Sequence, residues 1–217
     1  MRNSLRWLVV GLAIVALAGC VSGRNVILNP AYTREAAPPS LLPGSPPVSM
    51  AISLFEDGRP VKDRIGTRRG YRAAPDNFQY GGTSLVELVT KAVQTQVENA
   101  GIRTRLISSW DLRQKTIPPA GQKFLLGGRI DSFWMEASSN WMGSKPRLRV
   151  ELTLVLASPK ERRLLWRNTI TSTYEYREPY FNRKRAQQAF NIVFSNVVNK
   201  ILQNPELQSL LGIKPTS

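Results

Sequence analysis

From Leu148 to Ala157 the chain alternates without a break. Leu148, Val150, Leu152, Leu154 and Leu156 share one parity; Arg149, Glu151, Thr153, Val155 and Ala157 hold the other. Successive side chains of a strand point to opposite faces, so this is a strand with one buried face. Residues 123–138 place Phe124, Leu126, Ile130 and Trp134 on one parity, and residues 164–176 do the same with Trp166, Ile170 and Tyr174. The connections are short, such as Ser158-Pro159-Lys160-Glu161-Arg162, and short connections make the three strands an antiparallel meander. Two further strands are expected upstream, at residues 48–55 and 102–107. Between Gly58 and Gly82 no period holds, which predicts a long irregular loop.

Two stretches carry the helical period. Leu85, Leu88, Val89, Ala92, Val93, Val97 and Ala100 form one stripe. Ser84 and Glu87 have the form of a capping box, and Gly101 supplies a left-handed stop. Ala186, Phe190, Val193, Phe194, Val197, Val198, Ile201 and Leu202 form the second stripe, with Asn182 as cap and Pro205 as stop. The order is strand, helix, strand, meander, helix. It predicts an α+β, two-layer sandwich: a mixed, largely antiparallel sheet of about five strands with both helices on one face.

The chain begins differently. Met1-Arg2-Asn3-Ser4-Leu5-Arg6-Trp7 precedes a run from Leu8 to Gly19 without a polar side chain. That apolar run is too short for a membrane span of about 20 residues and has the shape of a secretory signal. Cys20 follows directly and is the only cysteine of the chain. Residues 1–19 are therefore read as a signal peptide. Residues 20–47, rich in proline, are read as a tether that holds the domain away from its attachment point. Residues 48–217 are read as one domain, which has no disulfide and needs an ordinary apolar core.

The formal charge is +15, of which the signal carries Arg2 and Arg6, leaving 15 − 2 = +13 for the mature chain. This excess favours anionic partners: lipid head groups, lipopolysaccharide or an acidic envelope protein. An exported chain excludes nucleic acid as the partner. There is no His, which removes the commonest general base and metal ligand. No Gly-x-Ser-x-Gly stands in the sequence. Asp131 and Glu136 fall on opposite faces of a regular strand, which is poor geometry for an acid–base pair. No enzyme, cofactor or metal is expected.

Three surfaces are candidates for binding. Arg59, Lys62, Arg64, Arg68, Arg69 and Arg72, beside Tyr71, form a basic loop whose guanidinium forks suit phosphate or carboxylate; the plain alternative is a solvated loop. Phe133, Met135 and Trp141, with Trp134 and Met142, form an aromatic hairpin and a candidate partner surface; Phe133 and Met135 are expected to be exposed, since their parity opposes that of Ile130 and Trp134, and the alternative is cover by the N-terminal segment or the last tail. The corner from Arg177 to Arg185 gathers cations at a helix start. There they oppose the macrodipole, which hints at an anionic contact.

Leu17-Ala18-Gly19-Cys20 resembles the lipobox of bacterial lipoproteins. The resemblance implies a lipid-modified Cys20 as the mature N-terminus, holding the protein to a membrane. Val21, where an Asp would signal retention in enteric bacteria, implies the outer membrane, on its periplasmic side. Downstream, Phe55-Glu56-Asp57-Gly58-Arg59-Pro60, Ile65-Gly66, Asn99-Ala100-Gly101 and Gly128-Arg129-Ile130-Asp131 resemble elements of the YajG-like lipoproteins. The layout is also similar to the lipopolysaccharide-assembly lipoprotein LptE and to auxiliary lipoproteins of ABC-type transporters. These resemblances imply a non-catalytic envelope protein that binds or helps assemble an envelope component. The alternative is an accessory subunit of a lipid or solute transport system.

Overall fold

The structure is a computed structural model and describes residues 23–34, 40–42, 47–70 and 74–213. Cys20, the signal segment and Arg72 lie outside the described residues. Nine strands and three α-helices are present among those described, where about five strands and two helices are expected from periodicity. The spine is β7 (Phe124–Asn140), which forms a long antiparallel ribbon with β8 (Gly143–Ser158), itself paired with β9 (Arg163–Glu175). This is the anticipated meander.

The other edge of β7 is shared end to end by three short parallel strands. β2 (Ser49–Ser53) pairs near its start, β3 (Glu56–Asp57) near its middle and β4 (Gly66–Arg69) near its end. β6 (Arg103–Ile107) then extends the sheet beyond β2. β5 (Asp76–Tyr80) pairs antiparallel with β4, and β1 (Asn25–Leu28) pairs parallel with β5. The stretch read as an irregular loop therefore holds two strands. Gly66-Thr67-Arg68-Arg69 is too short and too polar to show a period, and its register comes from β7.

Helices α1 (Leu85–Asn99) and α2 (Arg183–Ile201) share one core with the inner face of the sheet. The Ser84 hydroxyl accepts the Glu87 amide at 3.2 Å, and Asn182 Oδ1 accepts the amides of Lys184 and Arg185 at 2.9 and 3.2 Å. α2 ends ahead of Pro205, as expected, but a separate short helix, α3 (Pro205–Leu211), begins at Pro205, whose missing donor is harmless in the first turn.

The outer face is not uniformly polar. Ala51, Leu125, Val155 and Ala157 form a second, smaller core under Trp110, Leu112 and Ile117 of the segment after β6. Gly127 and Gly128 sit where both cores press on β7. A Cβ at Gly127 would fall 2.6 Å from Leu112 and 2.7 Å from Trp110, and one at Gly128 would fall 2.2 Å from the Phe55 ring.

The described parts of the segment read as a tether lie on the domain. Val26-Ile27-Leu28 belongs to β1, and Leu28 is buried. Beyond it the chain is strapped along α2. Asn29 and Ala31 donate their amides to Gln187 Oε1 (2.6 Å) and Asn191 Oδ1 (2.9 Å), and the Thr33 amide reaches the Ser195 hydroxyl (2.8 Å). An extended chain advances about 6.6 Å in two residues and a helix 6.0 Å in four, so alternate amides meet successive turns. Pro30, which has no amide hydrogen, falls between two of the bonded positions. Further on, the Leu41 amide reaches the Ala100 carbonyl at 3.1 Å, and the Leu42 amide reaches Gly212.

Candidate functional site: a basic and aromatic end of the sheet

Strand pairing collects several termini at one end of the molecule. β1 and β5 begin there, with Asn25 opposite Asn77. β4 ends there, with Arg68 opposite Asp76 and Arg69 opposite Ser138. β7 turns into β8 there through the two-residue connection Trp141-Met142. β9 ends there, and its corner to α2 is bridged back to β8: the Ser144 amide donates to the Glu178 carbonyl at 2.8 Å, and the Glu178 amide to the Ser144 carbonyl at 3.0 Å. Gly143 permits this approach, since a Cβ there would lie 2.5 Å from the Glu178 carbonyl oxygen.

The basic loop is divided by the fold. Arg59 is buried and is not free to meet a partner. Its guanidinium is bidentate to Asp57, both contacts 2.9 Å, and also donates to the carbonyls of Arg64 and Lys62. Burial raises the Asp57 pKa, but the hydrogen bonds and charge of Arg59 outweigh it and leave the carboxyl below its ordinary range. Arg64 Nη1 bonds Asn77 Oδ1 at 2.9 Å. Arg68 pairs with Asp76 and lies 4.7 Å over the Phe181 ring, which itself stacks on Phe78. Lys62 and Arg69 remain exposed. These arginines are thus mostly pieces of the fold.

The aromatic candidates also separate. Phe133 and Met135 are fully buried, contrary to expectation. The reason is a bulge between Ile130 and Ser132, which shifts the register by one residue. A one-residue shift exchanges the faces, so even positions face the core before it and odd ones after it. Phe133 then stacks on Phe190 at 5.3 Å and meets the edge of Phe194 at 5.5 Å. Trp141 is 85% exposed, and Met142 beside it is 72% exposed.

The same bulge puts Asp131 and Glu136 on the outer side together, about five residues or roughly 16 Å apart along the strand. Asp131 is occupied by Arg129 Nε at 2.6 Å and by the Thr153 hydroxyl at 2.5 Å. Across the outer face, Glu175 accepts from Lys145 and Arg147, which hold its carboxyl below the ordinary range, and Glu151 is shared by Arg149 and Thr171. Burial, and then the Glu178 carboxylate, push the Tyr176 phenol well above its ordinary range, while Arg185, 4.6 Å over its ring, opposes them. Tyr176 is therefore a neutral, packed side chain at neutral pH.

Several unmatched cations lie at the end described above, and others, such as Arg103, Arg105, Lys160 and Arg162, lie elsewhere on the surface. Arg24, Arg69, Arg177, Arg183 and Lys184 are exposed and have no carboxylate within 4.0 Å among the described residues. Tyr180 projects among them, 87% exposed. The corner 177–185 is legible in the sequence as a cation cluster; its neighbourhood to Trp141 is not, because a hairpin and a helix start 40 residues apart are joined only by sheet pairing. Arg24 goes unseen because a proline-rich flank gives no reason to place it on a fold. A cleft of about 440 Å³ separates the hairpin from the corner, lined by Asn140, Met142, Lys145, Arg177, Glu178 and Pro179 among others. Among the described residues, no cluster of three or more His, Cys, Asp or Glu could hold a metal ion, and no helix is long and apolar enough to cross a membrane.

No family model and no curated protein matches this chain. Solved structures do resemble it. Protein XCC0632 from Xanthomonas campestris, a DUF330 protein, superposes with a TM-score of 0.51 at 13% identity, covering 85% of this chain and 97% of that one. A minor lipoprotein from Acinetobacter baumannii gives a TM-score of 0.41 at 11% identity over 79% of this chain and 100% of its own. Lipoprotein GNA1162 from Neisseria meningitidis gives 0.38 at 12% identity over 71% and 98%. The likeness to XCC0632 is one of fold.

Proposed function

We propose that this protein is a lipoprotein of the outer membrane, anchored through Cys20, whose periplasmic domain is non-catalytic and binds or helps assemble an anionic envelope component. The single observation that carries the binding half is the meeting of unmatched cations and exposed aromatics at one end of the sheet. Carboxylates of the outer sheet face are matched by arginine, lysine or threonine, whereas Arg24, Arg69, Arg177, Arg183 and Lys184 are exposed without a carboxylate partner among the described residues at the end that also exposes Trp141 and Tyr180. A set of exposed arginines beside an exposed aromatic is suited to phosphate and carboxylate groups. The lipobox and the YajG-like elements of residues 48–203 support the envelope half of the reading.

Chemical cross-linking in cells, followed by purification of the intact tagged protein, tests this. The expected outcome is co-purification of an acidic envelope protein, lipopolysaccharide or anionic lipid, with loss when Arg69, Arg177, Arg183 and Lys184 are changed to Gln. Density-gradient fractionation tests the location. Recovery with inner-membrane markers would defeat it.

A further inference from the structure

The segment after Cys20 fixes which end of the domain meets the anchor. Three peptide links separate Cys20 from Gly23, a span of at most about 11 Å. Gly23 sits against the Pro75 carbonyl, and the Arg24 amide donates to Asp76 Oδ1 at 3.0 Å. β1 and the ladder on α2 then hold the following residues in place. Anything attached at Cys20 is therefore confined to the end of the sheet where β1 starts.

That end also carries the most exposed large hydrophobic side chains of the described residues: Trp141, Met142 and Tyr180. They sit at a hairpin tip and a corner, where they project instead of packing. Exposed cations surround them. Tryptophan and tyrosine prefer the boundary between head groups and acyl chains, and arginine and lysine are drawn to anionic head groups.

We propose that this end docks on the bilayer that holds the anchor. Trp141 and Met142 enter its interfacial layer, Tyr180 lies at head-group depth, and Arg24, Arg69, Arg177, Arg183 and Lys184 engage the phosphates of anionic phospholipid. The domain is thereby pinned to the membrane in one orientation and does not swing on a tether. This rests on the lipoprotein reading of Cys20.

The lone cysteine makes the test direct, because acylation consumes its thiol and leaves a cysteine introduced elsewhere as the only site for a nitroxide. The full lipidated protein carrying Met142→Cys is labelled and placed in phosphatidylethanolamine–phosphatidylglycerol vesicles. Lys160→Cys, in the β8–β9 turn at the opposite end, is the comparison. The expected result is that oxygen reaches the label at 142 several-fold better than a water-soluble nickel chelate does, with the reverse at 160. In the unlabelled protein, brominated lipid should quench tryptophan fluorescence, and Trp141→Ala should remove most of that quenching. Equal chelate access at 142 and 160, or no quenching in the unlabelled protein, overturns the docking. Mass spectrometry of the same preparation separates the failures: an acylated Cys20 with a water-exposed label defeats the docking alone, and an unmodified Cys20 defeats both readings.

Discussion

Thr33 donates its backbone amide to the Ser195 hydroxyl at 2.8 Å, across 162 residues of sequence. It is one rung of a ladder in which Gln187, Asn191 and Ser195, four residues apart on α2, receive alternate amides of the N-terminal segment. A polar stripe beside the apolar face of the helix is thus a seat for an extended chain.

Replacing Gln187, Asn191 and Ser195 by Ala should release that chain. Each net hydrogen bond contributes about 1 kcal/mol, and these sit near the surface. The effect should be local: amide exchange at Asn29, Ala31 and Thr33 accelerates by one to two orders of magnitude, while exchange within β7 and β8 changes little. Unchanged protection at those three amides would show that the side chains of α2 are not what holds the segment.

Gly128 tests how tightly the main core closes on the spine. The Phe55 ring, itself buried, stands 2.2 Å from where a Cβ would be. Gly128→Ala forces the ring or the strand to move, and overpacking of this kind costs about 1–3 kcal/mol. Chemical denaturation should show the loss. Pairing the change with Phe55→Leu, which makes room, should recover part of it.

How much of this was readable beforehand follows from the range of the interactions. The meander and both long helices depend on periods of two and 3.6 within single segments, so Leu148 to Leu156 and the stripe from Ala186 to Leu202 announce themselves. The caps at Ser84 and Asn182 are equally local. The burial of Phe133 and Met135 is not, because a single bulged residue near Asp131 exchanges the faces and nothing in the surrounding composition marks it. β4, β5 and β1 take their structure from strands distant in sequence, so polar stretches such as Asp76-Asn77-Phe78-Gln79-Tyr80 read as loop. Within the site, Trp141 and the cations of 177–185 were visible as residue types. Their meeting, and the part played by Arg24, exist only once β1 and the Ser144–Glu178 bridge are formed.

Asp57 and Arg59 form a pair whose contribution to stability depends on pH. The folded protein holds the Asp57 carboxyl below its ordinary value of 3.8. A carboxylate with a depressed pKa contributes stability that is fully present above its unfolded pKa and is lost as pH falls through the folded value. Asp57→Asn leaves the buried Arg59 charge without its counterion and should cost about 3 kcal/mol at pH 7. Urea denaturation of both proteins between pH 7 and pH 3 checks the sign: the gap between them should hold down to about pH 4 and narrow below it. A constant gap would mean that the carboxylate charge is not the source.

The first turn of α2 sets stability against binding. Arg183, Lys184 and Arg185 stand there with no acidic residue among them, where the helix dipole favours negative charge. Arg183 and Lys184 are exposed and unpaired, so Arg183→Glu and Lys184→Glu remove an unfavourable charge at each position and add a favourable one. Each should stabilise the domain by about 0.3–1 kcal/mol, measured by denaturation at low ionic strength, and the gain should shrink as salt screens it. Attachment to anionic vesicles should move the opposite way. In the lipidated protein, a label at residue 142 should become more accessible to the water-soluble chelate in the double variant, and in the unreversed protein it should do so as salt is raised. A double variant that is more stable and equally well docked would mean that these two cations have no part in the contact.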